Sequence, residues 1–119
     1  MIKMGTTRVA PGAAGPVVIV SVSGRLVNED DAEALADGLL SDFDVAVPRL
    51  VVNLSGCEIL SSASIGALIR AYSRCKKRGG RFALCEMRPA IKHLFEMLQL
   101  YRICEHYDTE AQAIAAIGS

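Results

Sequence analysis

LVVNLSGCEILSSASIGALIRAYSRCKKRGG, residues 50–80, is the segment from which the architecture can be read. Leu50 to Leu54 is an apolar run interrupted only by Asn53, the composition of a strand covered on both faces inside a parallel sheet. After it, Ile65, Leu68, Ile69, Tyr72 and Cys75 recur at the spacing of one helical face, while Arg70, Arg74, Lys76 and Lys77 fall elsewhere. Gly79 and Gly80 end that helix, and the preceding cations suit its negative end. The polar turn Ser61-Ser62-Ala63-Ser64 therefore lies beyond the carboxyl end of a strand and at the amino end of a helix, the position where open α/β sheets bind ligands. Its hydroxyls have two readings. A serine there can cap the helix, and a serine there can also carry a phosphate, because exposed N–H groups and the positive helix end favour an anion.

Working outward, Val17–Val22 is a branched run that reads as a strand ending at Ser23-Gly24, and Ile2–Val9 alternates loosely as an edge strand. Asn28 offers a cap for a helix with Glu29, Asp30 and Asp31 in its first turn and a buried stripe of Ala32, Leu35, Ala36, Leu39, Leu40 and Phe43. On the other side, Phe82–Cys85 is of strand length, and Pro89 opens a helix whose inner face is Ile91, Leu94, Phe95 and Leu98. A short strand is expected around Arg102–Glu105. Asp108 or Thr109 then caps a last helix with Ala111, Ile114 and Ile117 inward. The pattern predicts one α/β domain over residues 1–119, with a mixed, mainly parallel sheet of about five strands and about four helices.

Composition narrows the function. The chain has 119 residues, 51% apolar and 22% charged, which is enough to bury one core. Thirteen basic side chains balance thirteen acidic ones and aromatic residues are few, so nucleic-acid binding is not expected. No apolar run reaches the length of a membrane span and the amino terminus lacks the features of a signal peptide, so a cytoplasmic protein without membrane insertion is expected. Cys57, Cys75, Cys85 and Cys104 match no paired metal-ligand spacing and read as free thiols, with Cys75 and Cys85 inside apolar patterns as small core hydrophobes; Cys104 with His106 makes too small a ligand set for zinc. His93 reads as a helix-surface residue. No metal, cofactor or catalytic residue is expected. Cys75 and Arg81 have the spacing of cysteine phosphatases, but Cys75 stands at the wrong end of its helix for phosphate. Ser62-Ala63-Ser64-Ile65-Gly66 lacks the first glycine of a hydrolase elbow.

SVSGRLVNEDDAEAL, VVNLSGCEILSSASIGALI, KKRGGRFALCEM and IKHLFEMLQLYRICEHYDTEAQAI, in this order over roughly residues 5–117, resemble the STAS domains, specifically the bacterial anti-sigma factor antagonists. In that family a turn of the form hydrophobic-Asp-Ser-Ser-Gly-hydrophobic-Gly carries a phosphorylated first serine. The resemblance places Ser62 at the phosphoacceptor, Ala63 at the second serine, and Ile65 and Gly66 at the last two positions. Ser61 stands where the family has Asp and Ser64 where it has Gly; a variant with Ser-Ser-Ala-Gly is nearer to this chain. The resemblance implies a partner switch. The unmodified protein would bind an ATP-binding, histidine-kinase-like serine kinase that acts as anti-sigma factor, freeing the sigma factor, and phosphorylation of Ser62 would end that binding. The implied contact surface is Ser61, Ser62, Ala63, Ser64, Ile65 and Gly66, the exposed side of the next helix, and the loop from Gly24 to Asn28. A monomer or weak dimer is expected. The alternative is a STAS accessory or scaffold subunit of a transporter or signalling complex that is never phosphorylated.

Overall fold

The computed structural model describes residues 2–12, 16–26 and 49–118. The helix expected from Asn28 to Phe43, and Asn28 itself, lie outside the described residues. Five strands form one sheet in the order β1-β2-β3-β4-β5: β1 (Ile2–Ala10), β2 (Val17–Leu26), β3 (Arg49–Leu60), β4 (Arg81–Cys85) and β5 (Glu105–Tyr107). β1 pairs antiparallel with β2, and every other neighbouring pair is parallel. This is the mixed, mainly parallel sheet expected from the apolar runs. Among the described residues the helices are α1 (Ser62–Lys77), α2 (Pro89–Met97) and α3 (Glu110–Ile117), with a short 3-10 turn at Leu100–Arg102.

Alternation along the strands sorts the core into two layers. Leu50, Val52 and Leu54 of β3 and Phe82 and Leu84 of β4 join Ile65, Leu68, Ala71 and Cys75 of α1 and Ile91 and Phe95 of α2 on one face. Val51, Ala83, Cys85, Val17 and Ile19 meet Ala113 and Ile117 of α3 on the other. A strand whose successive residues all find cover shows no alternation, which is why the central runs read as continuous apolar sequence. The ring of Tyr72 meets Phe82 edge-on, with centroids 6.0 Å apart, and closes the gap between α1 and the sheet. On the far side, Arg49 and Arg81 donate to the carbonyls of Ile117 and Ala116, which supplies cations and donors to the carbonyl end of α3.

Four expectations are corrected. β3 does not stop at Leu54 but runs to Leu60, paired beyond Asn53 only with an equally prolonged β2. Leu54, Cys57 and Leu60 are its buried residues there, a spacing of three that no regular strand produces. The pairing absorbs it through register shifts between Ser21 and Ser23 and between Gly24 and Arg25. At the closest approach a Cβ on Gly56 would stand 2.7 Å from Ser23 Cβ, so only glycine fits. The last strand is Glu105–Tyr107, because Leu100–Arg102 coils into the 3-10 turn that buries Leu100 and Cys104. Leu98 is exposed just past the end of α2. In α3 it is Ala113, not Ala111, that packs inward, since the Thr109 capping box starts the helix and sets its phase.

Candidate functional site

The turn singled out in the sequence lies where β3 ends and α1 begins. Ser61 is the N-cap, extended at φ −77° and ψ 165°; its Oγ accepts from the Ser64 N–H at 3.2 Å, and its carbonyl accepts from the Ile65 N–H at 2.9 Å. The Ser61 hydroxyl also donates to Ser64 Oγ at 3.1 Å. Aspartate and serine are both strong caps, so Ser61 supplies the capping oxygen that an Asp would supply, without its charge. The three hydroxyls are thereby sorted. Ser61 is half-buried and occupied as the cap, Ser64 is fully buried against it, and Ser62, the first helical residue, is exposed.

Ser62 and Ala63 face solvent, Gly66 is half-buried one turn on, and Ile65 turns into the core at 6% exposure. The surface strip therefore consists of Ser62, Ala63, Gly66 and then Arg70; Glu58 and Ile59, near the end of β3, are exposed as well. Asn28 lies outside the described residues. The N–H groups of Ser62 and Ala63 have no acceptor within the helix, and no acidic residue occupies its first turn. Arg74, Lys76 and Lys77 are in the last turn, where their charge opposes the dipole's negative end. A dianion added to Ser62 would find unneutralised positive potential and the helix would gain by it. The opposite end of α1 is closed by Gly79 at φ +73°, with the Gly80 N–H bonded to the Cys75 carbonyl and the Gly79 N–H to that of Lys76.

The cysteines lie in the core. All four are buried as thiols. Burial pushes the thiols of Cys75 and Cys104 up to about 11, and that of Cys57 upward as well, the reverse of an activated thiolate. Cys75 Sγ donates to the Arg81 carbonyl at 3.1 Å, while the Arg81 guanidinium is engaged with Glu105 and Ala116. The phosphatase-like spacing therefore places its two side chains on structural duties. His93 is exposed on α2, as expected. His106 borders a cavity of about 240 Å³ with Met87, Pro89, Lys92, Tyr107 and Asp108, in which Lys92 is ion-paired with Asp108 at 3.1 Å. Sequence reasoning did not find that cavity, which forms only when the loop after β4 and the end of β5 meet. Arg88 in that loop donates from Nε to the Ser55 carbonyl at 2.9 Å and so steadies the prolonged part of β3.

With this geometry in place, the comparisons with known proteins agree on one family. The STAS domain profile matches residues 8–113. An anti-sigma F factor antagonist of Paenibacillus polymyxa is 26% identical over 106 residues, covering 85% of this chain and 86% of that protein. A crystal structure of an anti-sigma factor antagonist from Mycobacterium paratuberculosis superimposes with a TM-score of 0.77 at 28% identity, over 100% of this chain and 96% of the other. A STAS domain protein of Planctomyces limnophilus, an anti-sigma-factor antagonist by description, gives a TM-score of 0.77 at 25% identity over 95% and 98% of the two chains.

Proposed function

The chain belongs to the STAS domain family, and from that membership we propose that it is an anti-sigma factor antagonist switched by phosphorylation of Ser62. The Paenibacillus polymyxa relative is named an anti-sigma F factor antagonist, and the feature of the chain that supports a switch at Ser62 is its exposure beside two serines already engaged with each other. The transfer would come from a partner kinase of the histidine-kinase-like ATPase type. The Ser62 Oγ forms a bond to the γ-phosphorus of ATP, the bond from that phosphorus to the bridging oxygen breaks, ADP leaves, and the hydroxyl proton passes to a base of the kinase. The antagonist supplies an acceptor and a docking face and performs no catalysis of its own.

In the unmodified state the strip from Ser62 to Gly66 presents small, neutral groups that a partner can approach closely. Phosphorylation places about −1.5 to −2 charges there. The helix tolerates the dianion, whereas an interface formed around a neutral hydroxyl must desolvate it or open. About 2.7 kcal/mol of lost binding is a hundredfold in affinity, so a modest penalty suffices for a switch. The buried residues Ser64 and Ile65 would serve by holding the turn in shape, with contact left to Ser61, Ser62, Ala63 and Gly66.

The test is intact-mass measurement after incubation with purified anti-sigma kinases and ATP. The wild-type chain should gain one phosphate, the Ser62→Ala variant none, and the modified chain should lose its affinity for the kinase. No gain with any such kinase, together with stable recovery in a transporter complex, would refute the switch in favour of an accessory subunit.

A further inference from the structure

Arg70 stands two helical turns after Ser62 on the same exposed strip, and its guanidinium is drawn back toward the amino end of α1. Its Nη1 lies 3.9 Å from the point that a Cβ on Gly66 would occupy. Helical side chains lean toward the helix amino terminus, and neighbours one turn apart have Cβ positions about 5–6 Å from each other. Arg70 has thus already crossed the turn that separates it from Gly66, leaving one turn to Ser62. Gly66 puts no side chain in the intervening space. Arg74, a like charge one turn behind, opposes a swing in the other direction. Among the described residues Arg70 makes no side-chain hydrogen bond or ion pair, so its five donors are available.

We propose that Arg70 pairs with the phosphate once Ser62 is modified, and that the modification therefore changes the docking face twice, adding a dianion and withdrawing a cation. The inference rests on the reading of Ser62 as the phosphoacceptor. In the unmodified protein the exposed guanidinium is placed to meet a carboxylate of the partner. After phosphorylation the same guanidinium is held by the phosphate through charge-assisted hydrogen bonds, which are roughly twice as strong as neutral ones. The partner loses an ionic contact and meets a group it was not shaped for. Lysine would be a poor replacement, because a point charge on a flexible stem lacks the planar fork that binds phosphate through two donors.

Phosphoserine can be installed at position 62 during translation, so that no kinase is needed, and the arginine side-chain Nε–Hε signals recorded with and without it. The Arg70 signal, identified by its loss in Arg70→Lys, should move and exchange more slowly with water in the modified chain, while that of Arg74 stays in place. Phosphoserine at 62 with an unmoved Arg70 signal overturns the pairing. The switch fails separately: a modified chain that still binds the kinase as tightly as the unmodified one overturns the proposed function, whatever Arg70 does.

Discussion

Replacing Gly66 with alanine should make the protein more stable and its partner complex weaker. Gly66 is the fifth residue of a sixteen-residue helix, well inside it. There glycine costs about 0.8–1.0 kcal/mol relative to alanine, chiefly in backbone entropy. Among the described residues, and apart from the backbone of its own helix and its chain neighbours, an added Cβ would meet only Arg70 Nη1 within 4 Å, at 3.9 Å, an ordinary contact. No clash offsets the gain, so Gly66→Ala should stabilise by about 1 kcal/mol, equivalent to a melting temperature roughly 4 °C higher for a domain of this size. In urea the midpoint should rise by about 0.5 M with an unchanged slope. If a partner's backbone approaches the strip at Gly66, the same methyl overfills the interface and costs about 1–3 kcal/mol of binding, roughly five- to 150-fold in affinity. Calorimetric titration against a kinase of the proposed type that binds the wild-type chain would read that loss. A Gly66→Ala variant less stable than wild type would show that the fold itself requires the glycine, and the reasoning that assigns it to the docking face would collapse.

Further substitutions separate the serines and test the fold. Ser61→Ala should lose about 1 kcal/mol in urea denaturation, because the Ser64 N–H loses the capping oxygen that accepts from it, whereas Ser62→Ala should change stability by less than about 0.5 kcal/mol. Gly56→Ala should destabilise by about 1–3 kcal/mol, since its Cβ would sit 2.7 Å from Ser23 Cβ and the two strands must part; a neutral result by thermal melting would contradict the observed register. The buried thiols contribute to the loss of stability at alkaline pH. Their native values, raised to about 11 for Cys75 and Cys104 from an ordinary 9.0, mean that folding holds protons the unfolded chain releases. Their contribution is complete below pH 9 and is lost as pH rises toward 11. Urea midpoints should fall across that window, and less steeply in Cys104→Ala.

The sheet, its mostly parallel pairing and the amino-terminal position of the Ser61–Ser64 turn were all legible in the sequence, because apolar period, helix punctuation and strand composition are local properties. Leu50–Leu54 could only be a covered strand, and the glycines at 79 and 80 could only end the helix that Ile65, Leu68 and Cys75 outline. Three adjacent hydroxyls, however, look alike in a sequence. Their division into a cap, a buried partner and an exposed hydroxyl depends on where helix α1 starts and which way its first turn faces the core, and that is set by packing. The continuation of β3 to Leu60 was likewise hidden, since irregular pairing with β2 replaces the period of two with a spacing no local rule anticipates. The return of Arg70 over Gly66 is a matter of side-chain placement. Local chemistry thus determined which elements form and where the serine turn falls; tertiary contacts alone decided which hydroxyl reaches solvent and which cation stands near it.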